Sequence, residues 1–100
     1  LTMFTVKYLP EFERWLNSQT DNLTRIRLSK RLDKAARGLL GDVAPVGSGV
    51  FEFREHFGPG WRIYYVIRQQ SLIVVLAGGN KATQQQDIIR AIELSKVVED

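Results

Sequence analysis

The stretch Val50-Phe51-Glu52-Phe53-Arg54-Glu55-His56-Phe57-Gly58-Pro59-Gly60-Trp61-Arg62-Ile63-Tyr64-Tyr65-Val66-Ile67-Arg68 decides how this chain folds. Two runs rich in aromatic and β-branched residues flank the segment from His56 to Gly60, where Gly58, Pro59 and Gly60 break any regular element. That arrangement predicts two antiparallel strands, about Val50 to Glu55 and Trp61 to Arg68, joined by a five-residue loop. If Glu55 pairs with Trp61, then Arg54 lies opposite Arg62, Phe53 opposite Ile63 and Glu52 opposite Tyr64. Alternation sends Phe51, Phe53, Trp61, Ile63, Tyr65 and Ile67 to one face of the sheet and Glu52, Arg54, Arg62, Tyr64 and Arg68 to the other. A slip of one residue would scatter the apolar set over both faces, so the hydrophobic pattern selects this register.

Working outward, a tight turn near Gln69-Gln70 leads to a third run, Leu72 to Ala77, which is apolar on both faces and so belongs inside a sheet covered on both sides. Gly78-Gly79 is expected to end it, and a last helix from about Thr83 to Val98 carries Ile88, Ala91, Ile92 and Val98 on one face. Upstream, Asp42 to Gly49 contains Pro45, Gly47 and Gly49 and reads as a loop. Before it lies a long helix, opened by Asp21 or Asn22, with Leu28, Leu32, Ala35 and Leu39 as its apolar stripe. A shorter helix starts at Pro10 and presents Phe12, Trp15 and Leu16, and Phe4 to Tyr8 alternates as a short first strand. The order is β-α-α-β-β-β-α without repeats. It predicts an α+β fold with a small four-stranded, mainly antiparallel sheet, two N-terminal helices packed on one face and a basic site on the other.

At 100 residues, 44% hydrophobic and 25% charged, the chain makes one domain, placed at 3–98, with Leu1 and Thr2 set aside as a cloning remnant before Met3. The absence of cysteine excludes disulfide scaffolds, thiolate-ligated zinc and thiol catalysis, and fits a reducing cytoplasm. The longest apolar run is far shorter than the ~20 residues of a membrane helix. No P-loop, GxGxxG, HExxH or metal-spaced carboxylate cluster occurs, so nucleotide hydrolysis, nicotinamide chemistry and metalloenzyme chemistry find no support and no cofactor is implied. The net charge is +3, and its placement says more than its size. Arg25, Arg27, Lys30, Arg31, Lys34 and Arg37 crowd one helix with Asp33 as the only acid among them, whereas Asp87, Glu93, Glu99 and Asp100 face only Arg90 and Lys96 near the other end. A basic arc of this kind is either a solvated face or a surface for an acidic protein or a nucleic acid backbone.

Two arginines directly opposite on one sheet face repel by about 1 to 3 kcal/mol. Either Glu52 neutralises one of them and the side chains splay into water, or an anion such as phosphate sits between them, bound by planar guanidinium forks. His56 at the hairpin tip and Lys81 beyond Gly78-Gly79-Asn80 can join that pair. The first is a proton-transfer candidate and the second a cation presented by a glycine-bent turn.

Three segments together, Gly49-Val50-Phe51-Glu52-Phe53-Arg54-Glu55-His56, then Gly58-Pro59-Gly60-Trp61-Arg62-Ile63-Tyr64-Tyr65, then Gly78-Gly79-Asn80-Lys81-Ala82-Thr83-Gln84, resemble the RelE/ParE toxin superfamily. Within it the chain looks like the HigB-like branch known as addiction module killer proteins. The resemblance runs from about Phe4 to Val98. It implies a toxin of a type II toxin-antitoxin pair, a metal-independent endoribonuclease that cuts messenger RNA on the ribosome through attack of a ribose 2′-hydroxyl on the adjacent phosphate. By motif, Arg62 stabilises the transition state, Lys81 binds phosphate or acts as base, Arg54 holds phosphate, and His56 is a secondary acid or base. Tyr64, Arg68, Gln84 and Asp87, with Arg27, Lys30, Arg31 and Lys34 of the basic helix, are the candidates for binding RNA. The implied partners are an antitoxin of helix-turn-helix type, through which the pair would bind operator DNA, the ribosome and its message, and no membrane. Where RelE-like nucleases carry extra lysines or a tyrosine near the last helix, this chain has Gln84-Gln85-Gln86-Asp87. Two other readings therefore stay open: a ParE-like inhibitor of DNA gyrase, and a non-catalytic module whose basic helix docks an acidic protein.

Overall fold

A computed structural model describes residues 3–98; the proposed remnant Leu1-Thr2 and the acids Glu99 and Asp100 lie outside the described residues. The chain runs β1 (Thr5–Tyr8), α1 (Pro10–Asn17), α2 (Asn22–Ala36), β2 (Val43–Gly47), β3 (Val50–Arg54), β4 (Trp61–Arg68), β5 (Leu72–Asn80), a single 3-10 turn (Lys81–Thr83) and α3 (Gln84–Ser95). The strands form one sheet in the order β1-β5-β4-β3-β2. Every pairing is antiparallel except β1 with β5, which is parallel.

Local chemistry accounts for the element ends. Pro10 occupies the first turn of α1, where its missing N–H costs nothing. The Asp21 carboxylate caps α2, accepting from the Leu23 amide and, at 2.8 Å, from the Thr24 hydroxyl. Gly38 closes the helix with φ +86°, and its amide donates to the Ala35 carbonyl. The expected register of the hairpin is the observed one: Arg54 pairs with Arg62, Phe53 with Ile63 and Glu52 with Tyr64. The Glu55 amide donates to the Trp61 carbonyl at 3.0 Å, which leaves His56 to Gly60 as the loop.

The four-stranded expectation is corrected to five strands in a mixed sheet. The supposed loop from Asp42 to Gly49 contains β2, which pairs with β3 from Val43↔Phe53 to Gly47↔Val50. Being an edge strand, β2 tolerates Pro45, which could not sit inside a ladder, and a register shift between Pro45 and Gly47 absorbs the irregularity. Leu39, expected on the buried stripe of α2, lies past the end of the helix and is 51% exposed.

Gly78-Gly79 does not end β5; the strand continues to Asn80. Both glycines serve close approach. A Cβ on Gly78 would run into the Trp15 ring on one face, and a Cβ on Gly79 into the Asp87 carboxylate on the other. Trp15 in turn meets Phe12 and Trp61, with ring centroids 5.8 Å and 5.9 Å away.

The sheet carries a core on each side. Under α1 and α2 it buries Phe12, Leu16, Leu28, Leu32, Phe53, Ile63, Tyr65, Ile73 and Val75. The opposite face, expected to carry a basic site, is covered by α3 and buries Val50, Tyr64, Val66, Val74, Leu76, Ala77 and Ala91. The apolar stripe of α3 requires that cover, since Ile88, Ala91 and Ile92, at helical spacing, need a sheet to lie on. No helix among the described residues is long and apolar enough to cross a membrane.

Candidate functional site

The pairing registers line up one row of residues across the sheet on the α3 side: Arg54 on β3, Arg62 on β4 and Gly79 on β5. Asp42 extends this row just ahead of β2, where its carbonyl accepts the Arg54 amide at 2.9 Å. Gly79 leaves room for the Asp87 carboxylate, so charges along the row run acid, base, base, acid. This arrangement relieves the repulsion expected between the two arginines.

Arg54 gives Nε and Nη2 to Asp42 Oδ1 at 3.2 and 2.8 Å. The other oxygen of the same carboxylate, Oδ2, lies 2.7 Å from His56 Nε2. The hydrogen bonds from Arg54, then those from His56, hold the Asp42 carboxyl down at about 2, well below the usual aspartate range. Reciprocally, Asp42 raises the pKa of the Arg54 guanidinium.

Arg62 is only 7% exposed. Its Nη1 donates to the carbonyls of Trp61 at 3.1 Å and Glu55 at 3.3 Å, and its Nε stands 3.9 Å from Glu52 Oε1 without a hydrogen bond. Glu52, 4% exposed, also accepts from Gln84 Nε2 at 2.9 Å, which ties the pair to the first turn of α3. Glu52 was one of the two groups expected to neutralise the arginine pair, an anion being the other. It stands beside Arg62, and Asp42 serves Arg54.

Tyr64 lies next to them with its hydroxyl buried and without a hydrogen-bond partner. Burial, followed by the nearby Glu52 and Asp87 charges, pushes the phenol far above its ordinary pKa. It is a neutral side chain of the second core rather than an open RNA contact. Asp87 accepts a hydrogen bond from the Thr83 hydroxyl, so it is held over Gly79.

Lys81 is exposed and makes no ion pair among the described residues. It opens the 3-10 turn, which Asn80 caps by accepting from the Ala82 and Thr83 amides. The expectation of a glycine-bent turn is thereby corrected: strand continuity and the Asn80 cap position Lys81. Gly60, at φ +80°, stands between the Lys81 side-chain stem and the Arg62 guanidinium, since an added Cβ would lie 3.3 Å from Lys81 Cβ and 3.6 Å from Arg62 Nη1. The left-handed backbone and the tight space both favour glycine there.

The structure therefore brings Arg54, His56, Arg62 and Lys81 to one end of the sheet, with Tyr64 behind them under α3 and Gln84 and Asp87 on the first turn of that helix. Arg68 lies at the far end of β4, where Nη2 donates to the Ser95 carbonyl at 3.2 Å, and is apart from this group. The basic helix divides by role. Arg31 pairs with Glu55 at 2.9 Å and donates to the carbonyls of Leu40 and Asp42, both at 2.9 Å, while the Arg27 guanidinium stacks 3.7 Å over the Phe57 ring. Lys30 and Lys34 line an open groove of about 740 Å³ beside Leu39 and Leu40. Asp42 is the residue that reading the sequence missed. Extending the β3 ladder by one outer strand places it opposite Arg54, but Pro45 and the neighbouring glycines disguised that strand. Among the described residues no group of three or more histidine, aspartate or glutamate side chains is placed to hold a metal ion.

Residues 15–96 match the family described as phage derived protein Gp49-like (DUF891). An uncharacterized protein of Haemophilus influenzae is 31% identical over 86 residues, covering 86% of this chain and 87% of that one. Among solved structures, an Escherichia coli toxin RelE mutant in the free state superposes with a TM-score of 0.70 at 13% identity, over 98% of this chain and 100% of that one. A chain of the RelBE2 toxin-antitoxin complex from Mycobacterium tuberculosis gives 0.65 at 19% identity, over 80% and 100%. A YafQ mutant from Escherichia coli gives 0.58 at 15% identity, over 82% and 98%.

Proposed function

Since the chain belongs to the phage derived protein Gp49-like family and is built on the RelE fold, we propose that it is the toxin of a toxin-antitoxin pair and a metal-independent endoribonuclease acting on messenger RNA at the ribosome. The observation that supports this reading is the packing of the Lys81 side-chain stem and the Arg62 guanidinium against the same glycine, Gly60, with Arg54 as the next residue along the row. Such a group suits a phosphodiester whose negative charge grows during reaction. The reading places the toxin in the HigB-like branch, active in the cytoplasm and neutralised by a cognate antitoxin.

In this mechanism Lys81, the exposed cation, meets the scissile phosphate first. Arg62 is held by Glu52 and two backbone carbonyls, so its charge is fixed before substrate arrives and needs no reorganisation as the 2′-oxygen attacks phosphorus. Arg54 has Nε and Nη2 on Asp42 and offers a phosphate only its remaining N–H groups, which makes it a flanking ligand. The groove beside Lys30 and Lys34 continues the positive surface toward the α2 side, where an RNA backbone can run.

The test is primer extension on a defined message in a purified translation system, with and without ribosomes. The wild type is expected to cut only with ribosomes present, and Lys81→Ala to lower cutting about 100-fold, the usual consequence of losing one preorganised charge. Lys81 is exposed, so its loss leaves the fold intact. An intact message in the presence of wild-type protein that still arrests growth would reject the nuclease and turn attention to gyrase or a protein target.

A further inference from the structure

We propose that Asp42 is a positioning residue for the reaction above: it holds His56 through Nε2 and so presents Nδ1 as the proton-accepting nitrogen toward the RNA. The inference rests on the nuclease reading. It starts from a constellation of three side chains drawn from two segments. Asp42 Oδ2 stands 2.7 Å from His56 Nε2, and Oδ1 takes two hydrogen bonds from Arg54. A carboxylate held by a guanidinium remains ionised at neutral pH and can only accept, so the hydrogen on this contact belongs to His56 Nε2. The neutral imidazole then has its lone pair on Nδ1.

The surroundings keep that geometry in place. The Arg54 amide donates to the Asp42 carbonyl at 2.9 Å, and Arg31 donates to the same carbonyl, so the backbone under Asp42 is fixed from two sides. Arg62 Nη1 holds the Glu55 carbonyl, which belongs to the peptide bond leading into His56. Phe57, the next residue, is clamped beneath Arg27. His56 is thus anchored on both sides along the chain while its ring remains 72% exposed, a combination that suits contact with a large substrate. The charged groups around it are Asp42 and Arg54 on its Nε2 side, Arg62 at its backbone, the preceding Glu55, and Arg27 and Arg31 from α2.

The step balances without another reactant. The ribose 2′-hydroxyl gives its proton to His56 Nδ1, and its oxygen forms a bond to phosphorus. The bond from phosphorus to the 5′-oxygen breaks, that oxygen takes a proton from water, and the protonated His56 returns its proton to the resulting hydroxide. A 2′,3′-cyclic phosphate and a 5′-hydroxyl result. Asp42 stabilises the imidazolium while it exists, which is how a buried or bridging carboxylate aids a histidine base in general.

Two measurements test this. In ribosome-dependent primer extension, His56→Ala should slow cleavage about 100-fold and Asp42→Asn about tenfold. Asp42→Asn should add less than twofold in a His56→Ala background, and imidazole in the buffer should restore cleavage to His56→Ala. Because the chain has a single histidine, the ¹⁵N spectrum of its imidazole reads the tautomer directly. The wild type should show the Nε2-protonated form alone, and Asp42→Asn a mixture. Cleavage by His56→Ala at the wild-type rate, or equal losses from Asp42→Asn in both backgrounds, would overturn the inference and leave the nuclease standing. An identical tautomer in wild type and Asp42→Asn would overturn it as well. No cleavage by wild type would reject the nuclease itself, and this inference with it.

Discussion

Under α1 and α2 the sheet is closed by carbon: Phe53 stacks on Tyr65 with ring centroids 4.1 Å apart, and Phe12, Leu28 and Ile63 are fully buried around them. Under α3 the same strands bury Val50, Val66 and Leu76, yet beside them lie Glu52, Arg62 and the Tyr64 hydroxyl. The contrast shows how a 100-residue chain divides its labour. Both faces supply hydrophobic stabilisation, but only the α3 face also buries an ion pair, Arg62 with Glu52, that no core requires. Departures of that kind cluster where a protein acts.

The largest effect should come from the carbon face. Phe12→Ala is expected to lower the free energy of unfolding by about 3 to 5 kcal/mol, read as a drop in the urea midpoint at unchanged slope. Arg62→Ala on the other face should cost about 3 kcal/mol, because it leaves Glu52 buried without its partner, while replacing both by apolar residues should restore most of the loss. A neutral Arg62→Ala would mean that the pair does not hold the fold and that the two faces differ less than their composition suggests. The two glycines sharpen the contrast within a single strand. Gly78→Ala drives into the Trp15 ring and should cost about 1 to 3 kcal/mol, whereas Gly79→Ala meets the Asp87 carboxyl and the Thr83 hydroxyl, side-chain ends that can swing aside, and should cost less. Thermal melts of the two variants rank them.

The smallest effect lies at the rim. The Asp42 carboxyl sits at about 2 in the folded protein against an ordinary 3.8, so its contribution to stability is complete above pH 3.8 and fades as the pH falls toward 2. Asp42→Asn should remove that contribution, lowering stability slightly at pH 7 and making no difference below about pH 2, so that the acid limb flattens, as urea titrations at several pH values would show.

The central hairpin was legible because Phe53, Ile63 and Tyr65 must share a face, and that requirement admits one register. The apolar run of β5 announced burial on both sides for the same reason. What hid β2 was local: Pro45, Gly47 and Gly49 are turn residues that an edge strand tolerates. Overlooking β2 concealed Asp42, whose place opposite Arg54 exists only in the extended ladder. The cover of α3 over Arg62 was hidden differently, since the arginine and its acid, Glu52, read as polar on a strand whether the face is wet or closed. The hairpin register set Arg54 opposite Arg62 and the resemblance added roles for them and for Lys81, and the three lie at one end of the sheet; Arg68, put on the same face by alternation, and the basic helix, marked by its charge, lie in other settings.

The parallel seam between β1 and β5 has a consequence for the order of assembly. Residues 5–8 can complete their ladder only with residues 72–80, whereas β2 to β5 are joined hairpin by hairpin. The opening strand is therefore made early and seated late, after a loop of more than sixty residues has closed around α1 and α2, and such long-range closure slows folding. During synthesis the row from Asp42 to Gly79 can form before the first strand docks, so the working edge of the molecule would take shape while its opposite edge is still open.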